Sequence, residues 1–214
     1  CLVGSEMCIR DSHNFSLNGL TGFDLHGKNI GVIGTGNIGR TFIDICQGFG
    51  MNVYANDIYQ SCEKAKYVSL DELFALSDII SLHCPLTSDT YHIINKQSID
   101  KMKNGVYIIN TSRGSLIDSS ALLDGIMSEK IGGACLDVYE EETDIFHEDY
   151  SDTIIKDDLL LRLISMPNVI VTSHQGFFTK EALQSIASTT LQNIDDYANG
   201  RVLKNQVFVK KIKT

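Results

Sequence analysis

Four polar signatures stand in fixed order along this chain: GTGNIG at Gly34–Gly39, TSRG containing Arg113, DVYEEE ending in Glu142, and SHQG containing His174. The glycines are spaced to bring a backbone close to phosphate groups. Arginine offers a planar guanidinium that can grip a carboxylate through two parallel hydrogen bonds and polarise the carbonyl beside it. Histidine has an unperturbed pKa of ~6.5, so both of its protonation states are accessible near neutrality, and a neighbouring carboxylate fixes its tautomer. Together these are the parts needed to pass a hydride between a dinucleotide and a 2-oxo acid. No single one of them carries that reading. Glu142 is read as the carboxylate that meets the histidine, and Glu140 and Glu141 as solvated, although residue type alone leaves the choice within the triplet open. The other five histidines, at 13, 26, 83, 92 and 147, read as surface, core or loop residues.

The elements that must position these groups follow from hydrophobic patterning. From Lys28 onward, short apolar strands alternate with helical segments, the rhythm of a parallel sheet covered on both faces. Strands are predicted at Asn29–Ile33, Asn52–Ala55, Ile79–His83, Val106–Asn110, Gly133–Asp137 and Val169–Thr172. Helices are predicted at Ile38–Phe49, around Leu73–Leu76 behind a Ser69/Glu72 capping box, at Asp118–Met127 and at Thr179–Ala198. The economical solution is a doubly wound α/β sheet whose loops at the strand C-termini face a ligand crevice.

Each signature then falls at such a loop. GVIGTGNIGR follows a strand and opens a helix, the context in which a GxGxxG pattern is meaningful. Gly34 makes the tight turn, Gly36 lets the backbone approach a pyrophosphate, Gly39 allows close helix–strand packing, and Asn37 and Ile38 sit at the first helical amides. Asp57 closes the second strand, where a carboxylate can accept from ribose hydroxyls and repel a 2′-phosphate, favouring NAD over NADP. HCPLT ends the third strand, so Cys84 and Pro85 could wall the crevice with Thr90 opening the next helix. Arg113 lies just past the fourth strand, and Asp137, at the end of the fifth, could accept from a nicotinamide amide.

Composition narrows the partners. The net charge of −9 argues against nucleic acid and anionic membranes, which are bound mainly through clustered Lys and Arg. From Asp137 to Asp158 ten carboxylates face one Lys, a run that reads as a solvated loop. Six dispersed cysteines without CxxC suit a reducing compartment, and no paired His or Cys spacing suggests a metal. No apolar run is long enough to span a bilayer. The first twelve residues, CLVGSEMCIRDS, lack periodicity and resemble adaptor read-through more than coding sequence.

NFSLNGLTGFDLHGK, GVIGTGNIGR, SLHCPLT, MKNGVYIINTSRGSLID, GGACLDVYEEETDIF and TSHQGFFTKEAL resemble the D-isomer-specific 2-hydroxyacid dehydrogenase family, in its fermentative D-lactate branch. The resemblance runs from about His13 to Val207. It implies a Rossmann-type NAD-binding domain with only remnants of a substrate lobe, and NAD-linked reduction of a small 2-oxo acid, foremost pyruvate to D-lactate. Arg113 would bind the substrate carboxylate and carbonyl, Glu142 would orient the histidine, and His174 would be the general acid/base. Cofactor contacts would come from Asn37, Ile38, Asp57, Cys84, Pro85, Thr90, Thr111, Ser112, Arg113 and Asp137.

In this reading 1–12 is a non-native segment, 13–27 a connecting helix or linker, 28–178 the cofactor domain, and 179–214 a C-terminal helix returning toward a missing substrate lobe. It further implies a cytoplasmic homodimer joined through the cofactor domain. Two departures are visible: Thr143 stands where many relatives carry Pro, and the segment between Asp57 and Tyr67 looks a few residues short. Two alternatives stay open: another D-2-hydroxyacid dehydrogenase, of 2-hydroxyisocaproate or phenyllactate type, and a non-catalytic NAD-sensing module on the same fold.

Overall fold

The structure is a computed structural model that describes residues 15, 21–141 and 155–207. The chain divides into two compact units, one running to Thr172 and the other beginning at Ser173. The adaptor-like segment 1–12 and Glu142 with most of the acidic run lie outside the described residues.

Seven strands form one parallel sheet: β1 (Asn29–Ile33), β2 (Asn52–Asn56), β3 (Lys66–Tyr67), β4 (Ile79–Leu82), β5 (Val106–Asn110), β6 (Ile131–Leu136) and β7 (Val169–Val171). Their spatial order is β3-β2-β1-β4-β5-β6-β7, so the winding reverses between β1 and β4. That reversal opens a crevice at the strand C-termini, where doubly wound sheets bind ligands. The central strands are mainly apolar, and all four residues of β4 are buried, as expected of strands covered on both faces.

Six helices are described: α1 (Asn37–Gly48), α2 (Leu70–Leu76), α3 (Lys96–Lys101), α4 (Ser119–Met127), α5 (Asp158–Ile164) and α6 (Lys180–Ala198). One core cluster gathers Ile30, Val32, Ile43, Cys46, Met51 and Val53 beneath α1. A larger one includes Leu73, Ile80, Leu82, Ile108, Leu122 and Leu163. The capping box read at Ser69 forms in full, with Glu72 N–H donating to Ser69 Oγ and Ser69 N–H to the Glu72 carboxylate. Asp118 caps α4 by accepting from Ala121 N–H at 3.0 Å.

Several expectations are corrected. Strand β3 and helices α3 and α5 are additions to the expected elements: β3 has two residues, KQSIDK has one large apolar side chain, and DLLLRLI is a short segment that begins at the last carboxylate of the acidic run. Thr90 does not open a helix. It sits in a turn, where its hydroxyl accepts from Thr87 N–H at 2.8 Å and donates to the Pro85 carbonyl at 2.7 Å; the next helix starts only after Asn95. The described part of the connecting segment, 21–27, carries no helix or strand and turns at His26 and Gly27. Helix α1 buries Gly39, Ile43 and Cys46, whereas Ile38, Ile45 and the C-cap Phe49 face outward.

Candidate functional site

The corner between β1 and α1 is shaped by close approach. Gly34 has φ of +97°, and a Cβ there would lie 2.5 Å from the backbone nitrogen of Cys84. A Cβ on Gly39 would run into the Gly34 carbonyl. A side chain at Gly39 would push the helix off the turn, and one at Gly34 would push against the backbone leaving β4 at His83 and Cys84. Gly36 differs: a Cβ there would meet nothing within 4 Å, and the position is exposed. Gly36 is also the N-cap of α1 and makes no side-chain cap, with no acidic residue in the first turn. The other five described α-helices are all capped by a side chain, from Ser69, Asn95, Asp118, Asp157 and Thr179. The leading amides of α1, on Asn37 and Ile38, therefore present uncompensated donors and the positive end of the helix dipole at an open surface, a cradle suited to a pyrophosphate.

Asp57 follows β2 and is tied to the same loop. Its carboxylate accepts from Thr35 N–H at 2.5 Å, Thr35 Oγ at 3.0 Å and Tyr59 N–H at 2.9 Å. Burial works to raise its pKa, but the hydrogen bonds from Thr35 and Tyr59 outweigh it and hold the carboxyl below the usual value. Thr35 Oγ also meets the Tyr67 hydroxyl at 2.9 Å, and Arg40 Nε donates to the Thr35 carbonyl at 3.0 Å. The roles of Thr35 and Tyr67 left no local sequence signal, since Tyr67 comes from the short edge strand.

Past β4, His83 packs its ring on Phe42, centroids 4.8 Å apart, with Nε2 2.9 Å from Ser81 Oγ. Burial pushes its pKa down to about 4, so the ring is neutral. Next to it, burial pushes the Cys84 thiol up to about 11, which leaves a protonated wall residue and no nucleophile. Ser112 Oγ donates to the Cys84 carbonyl at 2.7 Å, joining the exits of β4 and β5. An open depression of about 450 Å³ lies beside this junction, lined by Asn37, Ile38, Phe42, His83 and Thr111 among others.

Arg113 is set by Asn110, a buried residue at the end of β5. The Asn110 amide donates to the Arg113 carbonyl at 2.8 Å, and its Oδ1 accepts from Ser112 N–H at 3.0 Å. The backbone is thus fixed while the guanidinium, exposed, donates only to the Ser112 carbonyl at 2.6 Å and forms no ion pair among the described residues. Asp137, after β6, accepts from Thr172 Oγ at 2.5 Å. The reading of Glu140 as solvated is corrected: its Oε1 lies 2.6 Å from His92 Nε2, and both side chains are about three-quarters buried.

The second unit carries His174 with φ of +50°, a left-handed backbone that His tolerates better than most residues. The turn after it is closed by Phe178 N–H donating to the Gln175 carbonyl at 2.9 Å, and Thr179 caps α6. The loop, Asp57 and the 110–113 turn thus share one unit, His174 belongs to the other, and Glu142 lies outside the described residues. Among the described residues no group of three or more His, Cys, Asp or Glu could hold a metal ion, and no helix is long and apolar enough to cross a membrane.

Comparison with known proteins gives this geometry a context. The family model described as D-isomer specific 2-hydroxyacid dehydrogenase, NAD binding domain, matches residues 6–176. The chain is 50% identical over 198 residues to D-lactate dehydrogenase of Escherichia coli, covering 91% of this chain and 60% of that protein. It is equally, 50%, identical over 199 residues to an aromatic 2-oxoacid reductase of Clostridium sporogenes, again covering 91% and 60%. The solved structure of the pyruvate reductase of Chlamydomonas reinhardtii superposes with a TM-score of 0.90 at 45% identity, covering 95% of this chain and 63% of that one. The chain therefore spans about 60% of the length of the curated relatives it matches.

Proposed function

Because the chain belongs to the D-isomer specific 2-hydroxyacid dehydrogenase family, whose NAD-binding domain it carries, we propose that it serves an enzyme reducing a small 2-oxo acid to its D-2-hydroxy acid, with pyruvate as the substrate. The observation that carries this reading is Arg113: a backbone pinned by Asn110 at the crevice and an exposed guanidinium with no carboxylate partner among the described residues. A substrate carboxylate satisfies that group with charge-assisted, bidentate hydrogen bonds.

NAD supplies or accepts the hydride when bound. The Gly34–Gly39 loop and the amides of Asn37 and Ile38 hold its pyrophosphate, and Asp57 receives a ribose hydroxyl on a carboxylate kept ionised by Thr35 and Tyr59. Cys84, Pro85, Thr90, Thr111, Ser112 and Asp137 complete the cofactor wall. Arg113 draws electron density from the carbonyl to be reduced, His174 delivers a proton to the oxygen as it gains charge, and Glu142 orients the imidazole. These assignments are supported by the position of each signature at a strand C-terminus.

The remaining length of the relatives supports a further substrate lobe, joined to the cofactor domain of 28–178 by 13–27 and the segment from 179; the family match itself begins at residue 6, inside the 1–12 segment. The same reading makes the protein a cytoplasmic homodimer associating through the cofactor domain. A second substrate class is favoured by the equal identity to an aromatic 2-oxoacid reductase. NADH oxidation by the intact protein over pyruvate, 2-oxoisocaproate and phenylpyruvate tests the activity and the substrate class, with pyruvate expected to give the highest kcat/KM. A phenylpyruvate preference would move the assignment to the aromatic branch, and tight NADH binding without turnover on any acid would favour a sensor.

A further inference from the structure

Three segments meet at the corner that carries Arg113, and two of them are joined by a side-chain pair, His92 with Glu140 of DVYEEE, that has no part in the chemistry proposed above. The chain leaving β6 lies directly on Gly114, where a Cβ would overlap the Tyr139 carbonyl and stand 2.5 Å from the Glu140 nitrogen. Segment 92–94 lies along the other side: His92 N–H donates to the Ser115 carbonyl at 2.9 Å, Ile94 N–H to the Leu116 carbonyl at 3.0 Å, and Asp118 N–H to the Ile94 carbonyl at 2.9 Å. His92 Nε2 and Glu140 Oε1, 2.6 Å apart, tie these two flanks to one another across the corner.

The pair is held in place from behind. His92 has φ of +49°, a backbone state that persists only where its surroundings fix it. Its carbonyl accepts from the Asn95 amide at 2.7 Å, and its ring stacks on Tyr91 with centroids 3.9 Å apart. With side chains only 26% and 24% exposed, the contact is screened less than a surface ion pair.

We infer that His92 and Glu140 are positioning residues for substrate binding: they clamp the flanks of the Gly114 corner and so fix where Arg113 presents its guanidinium. The inference rests on the role proposed for Arg113 above. Binding geometry of this kind is sensitive, since displacements of about 1 Å can cost on the order of a hundredfold in rate. In the intact protein, His92→Ala and Glu140→Ala are expected to raise KM for pyruvate about tenfold while the Kd for NADH stays within about twofold. The double variant should be no worse than either single one, and Glu140→Gln, which keeps an acceptor for an imidazole N–H, should recover most of the loss.

A readout independent of turnover is amide hydrogen exchange. Amides 114–117 should exchange at least about tenfold faster in both alanine variants, with those of β1 unchanged. An unchanged KM with unchanged exchange overturns the inference. So does a parallel rise in KM and NADH Kd with a lowered Tm, the signature of a general brace. A wild-type protein inactive on every 2-oxo acid would defeat the functional reading, while exchange would still decide whether the clamp exists. Should His92→Ala not fold, Glu140→Ala set against Glu140→Gln bears the same comparison.

Discussion

Arg113 illustrates how much a single position asks of its residue type. Arg113→Lys keeps the charge but replaces a planar fork by a point charge, so both substrate binding and the carbonyl's polarisation suffer. A fall in kcat/KM for pyruvate of about a hundredfold or more is expected in the intact protein, with NADH affinity nearly unchanged. His83 makes a different demand, because it is buried and neutral with a pKa of about 4 against an ordinary 6.5. Between those values the unfolded chain binds the extra proton. The stabilisation is therefore full above about pH 6.5 and is lost as pH falls toward 4, by an amount of the order of 3 kcal/mol. Unfolding free energies measured from pH 7 to 4 should fall steeply in the wild type and less steeply in His83→Gln; equal slopes would show that the ring is not the group responsible.

At the scale of elements, α1 is distinctive for what it omits. Gly36 has an extended backbone, φ −65° and ψ −166°, with room for a side chain, so a capping residue would fit there without strain. Gly36→Asp should leave the ligand-free protein as stable or up to about 1 kcal/mol more stable, through an added cap and a favourable dipole contact. The same carboxylate would oppose a pyrophosphate, and NADH affinity should drop more than tenfold by fluorescence titration. Loss of both stability and affinity would show instead that the corner tolerates no side chain.

Much of this element layer was legible because the strands that build the crevice are apolar runs ending in polar turns: Asn29–Ile33 before Gly34, and Val106–Asn110 before Arg113, match β1 and β5 residue for residue. What escaped was non-local or weakly patterned. His92 and Glu140 are 48 residues apart, and although Glu140 belongs to DVYEEE, nothing in either local pattern pairs them. Lys66–Tyr67 becomes a strand only through pairing with β2, and α3 has too few apolar residues to show a period. The buried amide of Asn110 was visible as a letter of the NTSRG signature, but its part in pinning Arg113 needed the turn geometry.

For the molecule as a whole, the chain carries the cofactor-binding half of a site whose remaining parts are proposed to lie in the other 40% or so of its relatives' length. The 214-residue chain is accordingly expected to bind NADH yet oxidise it with pyruvate at less than about 1% of the intact protein's rate. Full activity in the isolated chain, measured by loss of NADH absorbance, would overturn that division of labour.

The bare start of α1 also has a consequence for the protein's lifetime. A dinucleotide held on those amides, as proposed above, would do the work a serine or aspartate does at the other α-helices, so the last piece of this helix would be supplied from outside the gene. Occupancy at a hundred times Kd adds about 2.7 kcal/mol to the folded state. The fraction of molecules open to proteolysis would then follow the cell's nucleotide pool, and a shortage of NAD(H) would shorten the protein's survival before it limited the reaction.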